Sequence, residues 1–398
     1  MFDFTYYTPT RVIFGKEAVD RTAEAVKSAG GTRVLLHYGG QSAVKSGLIG
    51  RLEQQLAGAG LFVVTLGGVQ PNPHLSKVRE GIALAKENGV DFILAAGGGS
   101  VIDSSKAIAY GLGEPDLDVW ELYAHTRKAK ACIPVGAVLT IAAAGSEMSN
   151  SSVITNEETL EKRSYNDDIS RPKFAVMDPT LTMTLPDYQT QSGCVDIMMH
   201  TMERYFTHGG NMEITDAIAE ALLKTVMKNA QILHADPENY EARAEVMWAS
   251  SLSHNGLTGC GNDGGDFASH KLEHEMGGMF DVTHGAGLAA IWPSWARYVC
   301  ASDLDRFVRF AQNVMGVDRK EGMSDEDVAL AGIEAMEVFY HSIDMPVNMK
   351  ELGISPTDEQ IAAMADGCVR AVGEPTGSAR KLYRDDMVRI YTAARGDL

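Results

Sequence analysis

The sequence predicts an N-terminal α/β domain built on a parallel sheet, over residues 1–185, followed by an all-helical domain over residues 186–398. Up to about residue 185, short apolar runs end in glycine-rich turns and alternate with segments of helical periodicity, which is typical of βαβ units. Beyond Pro186 the chain is rich in Ala, Met, Glu and Leu, as in residues 212–233 and 239–252, and convincing strand signals are absent.

Three apolar runs of the N-terminal part are predicted strands, at residues 32–38, 61–66 and 90–96. Each run is nearly continuous rather than alternating, as expected for parallel strands that helices cover on both faces. The helical spacing of apolar residues over 46–59 and 76–88 predicts two helices that connect these strands.

Composition narrows the class of protein. The chain has 398 residues, of which 45% are hydrophobic and 22% charged, and this is ordinary globular usage. A net charge of −18 without a basic cluster argues against nucleic acids and anionic membranes as partners. Five dispersed cysteines predict free thiols in a reducing compartment, and neither a signal peptide nor a membrane span is visible. We therefore expect a cytoplasmic protein.

A glycine loop, Gly97–Ser100, follows the third predicted strand and opens a helix that we predict from about Val101 to Tyr110. Glycines let the backbone approach a pyrophosphate, and the amides and dipole of a helix start favour the anion. Asp103 is expected in the first turn of this helix, where the dipole favours a carboxylate. A tight turn that needs glycine for its own geometry explains the loop equally well, and the G-x-G-x-x-G fingerprint is absent.

A second glycine pair, Gly39 and Gly40, ends the first predicted strand. In dinucleotide folds an acidic residue near such a strand end holds the ribose 2′-hydroxyl, and its absence leaves room for a 2′-phosphate. Small residues here, with Ser42 and Lys45 following, favour NADP over NAD. The alternative interpretation is again a plain turn.

A group of histidines and one aspartate has the spacing of a metal site. Asp196 and His200 are four residues apart, so they share one face of a helix. Three of the chain's 11 histidines, among them His270 and His284, lie within a 15-residue window. Gly277-Gly278 can break the helix there and return His284 towards His270. One carboxylate and three imidazoles suit Fe(II) or Zn(II) and leave a position for a substrate oxygen.

The same window allows a competing interpretation. His270, Glu273 and His274 match H-x-x-E-H, the inverted zinc-peptidase motif, in which the two histidines bind zinc and the glutamate acts as base. This interpretation leaves Asp196, His200 and the glycine loops unexplained.

Taken together, the motifs make the chain resemble the iron-containing (group III) alcohol dehydrogenase family, and within it the NADPH-dependent butanol dehydrogenase-like branch. The resemblance covers nearly the whole chain. It rests on Asn72-Pro73, Gly97–Ser100 with Asp103, Gly145–Met148, Met177-Asp178-Pro179, Asp196-x-x-x-His200, His270-x-x-Glu273-His274-Glu275 and His284–Gly287.

The resemblance implies a nucleotide-binding N-terminal domain, a helical metal-binding domain, bound NADP(H) and, as a partner, a second copy of the chain in a homodimer. It implies that Asp196, His200, His270 and His284 hold the metal and that His274 helps relay a proton. The predicted cofactor residues are Gly39, Gly40, Ser42, Asn72, Gly97, Gly98, Gly99, Ser100, Asp103, Thr140, Ser149 and Lys162. Two positions depart from the family pattern: Ala144 replaces a threonine, and Ser149 stands where asparagine is common.

The expected function is hydride transfer between NADP(H) and a small primary alcohol or aldehyde, with Fe²⁺ or Zn²⁺ as Lewis acid. A redox-neutral, NAD- and metal-dependent cyclase resembling dehydroquinate synthase is the alternative. Such a site needs several cations for a phosphorylated substrate, whereas the region around the histidines supplies Lys271 but mostly Gly, Met, Phe and acids.

Overall fold

The computed structural model describes residues 1–396 and divides the chain into two units. One unit is Tyr7–Thr184, and the other is Leu185–Leu398 together with Met1–Tyr6. The first six residues thus belong with the helical part, where Phe2 N donates a hydrogen bond to Gly261 O at 2.9 Å. The last two residues of the predicted helical domain lie outside the described residues.

The first unit is built on a six-stranded parallel sheet with the strand order β1-β8-β5-β4-β2-β3. Polar residues form a separate antiparallel hairpin, β6–β7. The strands are β1 (Arg11–Phe14), β2 (Arg33–Tyr38), β3 (Phe62–Leu66), β4 (Phe92–Gly97), β5 (Val135–Leu139), β6 (Ser151–Asn156), β7 (Glu161–Asn166) and β8 (Phe174–Met177).

Helices cover both faces of the sheet, as the continuous apolar strands predict. Along β2, Val34 and Leu36 are buried in one apolar cluster and Leu35 in the other, on the opposite face. The helices of this unit are α1 (Thr22–Ser28), α2 (Gln41–Lys45), α3 (Leu48–Gly58), α4 (Leu75–Glu87), α5 (Gly99–Gly113) and α6 (Trp120–Tyr123). The three predicted strands correspond to β2, β3 and β4, and the predicted α/β class is confirmed.

The second unit is helical, and its described residues contain no strand. None of the described helices is both long and apolar enough to cross a membrane. The helices are α7 (Asp187–Tyr205), α8 (Glu213–Ala235), α9 (Tyr240–His254), α10 (Ala268–Phe280), α11 (His284–Val299), α12 (Leu304–Asn313), α13 (Asp325–Ser342), α14 (Asp358–Val372) and α15 (Arg384–Ala394). All five cysteines of the chain are free thiols, as predicted.

A buried histidine ties β2 to its neighbours in the first unit. His37 Nδ1 donates to Leu66 O at 2.8 Å, so its Nε2 accepts from Ser104 Oγ at 2.9 Å. Burial lowers the pKa of His37 to about 4 from 6.5, because a charged ring would lose its hydration there. The folded protein therefore keeps this ring neutral at pH values where the unfolded chain binds a proton.

We expect this difference to make the first unit acid-sensitive between about pH 6.5 and pH 4. In that window the unfolded state binds more protons than the native state, so stability falls as pH falls, by up to about 3 kcal/mol. His37→Gln removes the titration, and its urea unfolding midpoint should fall less than that of the wild type from pH 7 to pH 4.5. Parallel midpoint–pH curves for the two proteins would contradict this assignment.

Candidate active site

The predicted glycine loops meet at one edge of the sheet. β2 lies between β3 and β4, so the chain order reverses there, and such switch points are where open α/β sheets bind ligands. Tyr38 and Ala96 are register partners in these parallel strands, and Gly39 and Gly97 therefore follow at the same carboxyl edge. The 15-residue helix α5 begins at this edge with Gly99.

Close packing explains why three of these residues are glycines. A Cβ at Gly98 would lie 2.1 Å from Ile141 Cγ2, one at Gly97 would lie 2.4 Å from Val101 Cγ2, and one at Gly99 would approach Ala144 to 2.9 Å. The turn therefore needs glycine for its own geometry. The helix α5 starts at this turn, and the first backbone amides of a helix, which lack intrahelical partners, are what a pyrophosphate requires.

The glycines after β2 are under no such constraint. A Cβ at Gly39 would make ordinary contacts of 3.6 Å with Val101 Cγ2 and Val69 O, and one at Gly40 would meet nothing within 4 Å. Internal packing therefore does not demand glycine at either position, and the space beside Gly39 can accept a side chain. Ser42, in the short helix α2, is exposed.

Asp103 lies in the second turn of α5 and not in the first, because the helix begins at Gly99 rather than at Val101. Its carboxylate accepts hydrogen bonds from Ser146 Oγ and from Val153 N, the latter at 2.9 Å. Burial raises the pKa of Asp103, against the opposing charge of Lys106. Asp103 therefore joins α5 to β6 and to the segment that precedes it.

The remaining predicted cofactor residues lie on either side of this segment. Thr140 N donates to Gly97 O at 3.1 Å, which keeps Thr140 beside the glycine loop. Ser149 is buried, and its carbonyl oxygen accepts from Lys106 Nζ at 3.0 Å. Lys162 on β7 is the register partner of Thr155, whose amide donates to the carbonyl of Pro73, next to Asn72. Asn72 and Lys162 thus lie near each other at the hairpin.

Three histidines of the helical unit converge on one carboxylate oxygen. Asp196 and His200 lie one turn apart on α7 and are almost fully buried. Asp196 Oδ1 is 3.2 Å from His200 Nδ1, 3.5 Å from His270 Nε2 on α10 and 3.7 Å from His284 Nε2 on α11. Ligand atoms of Asp196, His270 and His284 all lie within 4.8 Å of one another. The structure therefore brings three of the four predicted ligands within metal-binding distance of one another and places the fourth, His200, beside Asp196.

The polar atoms at this point fit a cation. Within residues 1–396, Asp196 Oδ1, His200 Nδ1 and His270 Nε2 are buried and make no hydrogen bond. Leaving such groups unpaired is costly, and a divalent ion between Asp196, His270 and His284 would satisfy Asp196 Oδ1 and His270 Nε2 at once. Burial alone would lower the pKa of His270, but Glu203 and Asp196 outweigh burial and raise it to about 10. The carboxylates of Glu203 and Asp196 thus favour positive charge at His270, whereas burial lowers the pKa of His200.

Two glutamates that are not among the predicted metal-site residues bond to two of the predicted ligands. Glu203 is hydrogen bonded to His270 Nδ1, and Glu273 is hydrogen bonded to His284 Nδ1. Each bond leaves the ring's Nε2 facing Asp196, as in the carboxylate–histidine–metal arrangement. The sequence signal for these glutamates is their spacing from the predicted ligands. Glu203 follows Asp196 by seven residues on α7, and Glu273 follows His270 by three residues on α10.

The predicted helix break is wrong. α10 continues through Gly277-Gly278 and ends at Phe280, and the turn is made by Asp281 in the left-handed region at φ 51°. α11 then begins with His284. Gly285 allows α11 to lie directly on α7, because a Cβ there would be 1.9 Å from Ser192 O. This contact fixes where His284 stands relative to Asp196.

His274 lies one turn beyond His270 and borders the cluster. Its ring centroid is 5.8 Å from that of His284 and 6.3 Å from that of His270. It is partly exposed, whereas His270 is buried. This geometry does not favour the zinc-peptidase interpretation: His284 rather than His274 is grouped with His270 and Asp196, and Glu273 of the motif is hydrogen bonded to His284 Nδ1.

Fold and site together define a metal-dependent dehydrogenase. The sequence model for iron-containing alcohol dehydrogenase matches residues 9–179, and the model for the C-terminal part of the Fe-containing alcohol dehydrogenase family matches residues 190–395. The chain belongs to the iron-containing alcohol dehydrogenase family, and the predicted family is confirmed.

Individual relatives cover the whole chain. The NADH-dependent butanol dehydrogenase A of Clostridium acetobutylicum is 40% identical over 98% of this chain and 99% of its own. The NADPH-dependent aldehyde reductase YqhD of Escherichia coli is 34% identical over 99% and 100%. The crystal structure of an NADH-dependent butanol dehydrogenase A from Thermotoga maritima superposes with a TM-score of 0.94 at 36% identity, covering 99% of both chains. These names differ in cofactor, so they leave the predicted NADP preference undecided.

Proposed function

We propose that this protein catalyses the reversible, NADP(H)-linked reduction of small aldehydes to primary alcohols, with iron(II) at the Asp196 cluster. The observation that carries the proposal is the convergence of three imidazoles on Asp196 Oδ1, in a chain of this family. The overall reaction balances as aldehyde plus NADPH plus a proton giving alcohol plus NADP⁺.

Asp196, His200, His270 and His284 would hold the metal. When bound, the ion would supply Lewis acidity towards a substrate oxygen, and the nicotinamide would supply or accept hydride. Glu203 and Glu273 fix the tautomers of His270 and His284, so that each presents Nε2 to the metal position without rearrangement. Iron(II) and zinc(II) both accept this donor set, and the family description favours iron.

The glycine edge of the first unit would hold the pyrophosphate, with the first amides of α5 as donors. Gly39 supports the proposed preference for NADP. A carboxylate at the end of β2 would repel a 2′-phosphate, whereas glycine leaves the space open. The NADPH dependence of the aldehyde reductase YqhD supports this choice, and the NADH dependence of the butanol dehydrogenases supports the opposite one.

We expect Gly39→Asp to lower kcat/KM for NADPH by about 10- to 100-fold with a small effect on NADH, because like charges in a partly desolvated site repel. The packing leaves room for the side chain. Gly39→Asn, of equal size and without charge, is the matched control and should change the cofactor ratio little. A wild-type preference for NADH, or an equal loss in the Asn variant, would refute the charge explanation.

His274 would deliver the proton to the substrate oxygen in reduction and accept it in oxidation. It borders His284 and His270, yet it is not among the histidines that meet Asp196. The alternative is that His274 supports a ligand, which would affect metal affinity rather than proton transfer.

His274→Phe should lower turnover by about 10²-fold, flatten the pH–rate profile and leave metal content near normal. Metal content and the pH–rate profile are measured on the same preparation. Turnover that recovers when ferrous ion is added in excess would instead identify His274 as a support for a ligand.

The function itself is tested with a panel of short aldehydes and NADPH, on protein stripped of metal and reconstituted with Fe²⁺ or Zn²⁺. We expect NADPH oxidation with small aldehydes that depends on added metal. A protein that consumes no NADPH with any aldehyde, yet turns over a phosphorylated polyhydroxylated substrate with catalytic NAD, would be the cyclase alternative.

A further inference from the structure

A fifth histidine lies against the metal cluster. His254 is the last residue of α9, and its ring is tilted by 31° from that of His200, with the two centroids 4.0 Å apart. His200 also lies beside His270, with centroids 4.5 Å apart. His254 belongs neither to the sequence motifs nor to the predicted metal ligands, yet its ring contacts that of a predicted ligand.

His200 is held differently from the other two imidazoles. His270 and His284 are each fixed by a glutamate on Nδ1. Within residues 1–396 His200 has no such outer carboxylate, since the acidic oxygen beside its Nδ1 is Asp196 Oδ1, itself a proposed ligand. A ligand ring that no hydrogen bond orients from outside can rotate unless its faces are packed. Here the ring of His254 packs against one face.

The backbone beneath the two rings is clamped by one side chain. Arg204 Nη1 donates to His200 O at 2.6 Å and to Ser253 O at 3.2 Å. It thereby joins α7, at the residue that bears one ring, to α9, at the residue before the other. The guanidinium also lies over the ring of Phe267, 4.9 Å from its centroid. Arg204 thus ties together the two helices, α7 and α9, that carry the stacked rings.

We propose that His254 is a positioning residue: its ring stacks on His200 and holds that imidazole beside Asp196, at the edge of the metal cluster. This inference rests on the proposed metal site. Offset or tilted aromatic contact at this distance is favourable and restricts rotation about the Cβ–Cγ bond. The stack would do for His200 what the glutamates do for His270 and His284, and outer groups of that kind change metal affinity by about 10- to 100-fold.

The test compares three replacements in the iron-loaded protein. His254→Phe keeps a flat ring without nitrogen, His254→Gln keeps a nitrogen without a ring, and His254→Leu keeps only bulk. Release of ferrous ion to an excess of chromogenic chelator is expected to be about 10-fold faster in the Leu and Gln variants and within about 2-fold of wild type in the Phe variant. The visible spectrum of the Co²⁺-substituted proteins should separate into the same two groups.

The metal-release rate of each His254 variant either supports or overturns the stacking proposal. Release at the wild-type rate from His254→Leu, or from His254→Gln, overturns the proposal. Fast release from His254→Phe also overturns it, because the nitrogen and not the ring would then be needed. His341→Leu, which removes an exposed histidine near the end of α13, is the control and should not change release. Thermal unfolding of the metal-stripped variants should match wild type. A wild-type protein that retains no metal would count against the proposed function, and is thereby distinguished from failure of the stack.

Discussion

Replacing His284 with Ala is expected to remove most of the bound metal and to lower turnover by about 10³-fold or more, since the metal supplies several kcal/mol of charge stabilisation in such reactions. His284 Nε2 lies 3.7 Å from Asp196 Oδ1, and its other nitrogen is already bonded to Glu273. The variant leaves the buried Asp196 oxygen with fewer cationic or donor partners. Metal content by elemental analysis and aldehyde reduction by NADPH oxidation give the two readouts.

His341→Ala is a suitable control, because that histidine is exposed and bonded to Glu351, away from the cluster. It should keep full metal and full activity. His270→Ala should behave like His284→Ala. Full metal content in His284→Ala would show that His284 is not a ligand.

The second large effect, on both stability and metal binding, is expected from adding a single methyl group at Gly285. In Gly285→Ala the new Cβ would stand 1.9 Å from Ser192 O and 2.6 Å from the carbonyl carbon, and backbone atoms cannot rotate away. α11 must therefore move off α7, and His284 moves with it. We expect a loss of stability of about 2–3 kcal/mol, typical of overpacking, together with metal binding weakened by more than about 10-fold.

Gly50→Ala provides the matched control for this substitution. Gly50 lies inside α3, and a Cβ there would meet nothing within 4 Å. Alanine is the better helix former by about 1 kcal/mol, so this variant should be as stable as wild type or more stable. Thermal melts and metal content are compared for both. If Gly285→Ala melts like wild type and keeps its metal, α11 does not depend on this close approach.

Apolar runs predicted β2, β3 and β4 because buried parallel strands leave a strong signal in sequence. The hairpin β6–β7 was not predicted, since its second strand begins Glu161-Lys162-Arg163 and lacks both an apolar run and a regular alternation. The predicted start of α5, at about Val101, is two residues later than the observed start at Gly99, because glycine has a low helix propensity. Here tertiary packing around Gly98 outweighs that local preference.

For the site, sequence spacing was enough to find Asp196 and His200, because i and i+4 share a helix face. Spacing alone cannot show that α7, α10 and α11 meet. The turn between α10 and α11 is made by Asp281, a non-glycine residue at φ 51°, and not by the predicted glycine pair. Sequence reasoning does not single out Glu203 or His254: the seven-residue spacing of Glu203 from Asp196 is a weak signal, and both residues matter through what they touch across helices.

The convergence of three helices on one buried oxygen has a consequence for the lifetime of the protein. An ion held by α7, α10 and α11 cross-links segments that are distant in sequence, so it binds the folded helical unit and not the unfolded chain. Each tenfold rise of free metal above its dissociation constant then adds about 1.4 kcal/mol to the stability of that unit. Iron supply would thus set how often this unit opens to proteases, and metal-starved cells would contain less of the protein, not only less of its activity.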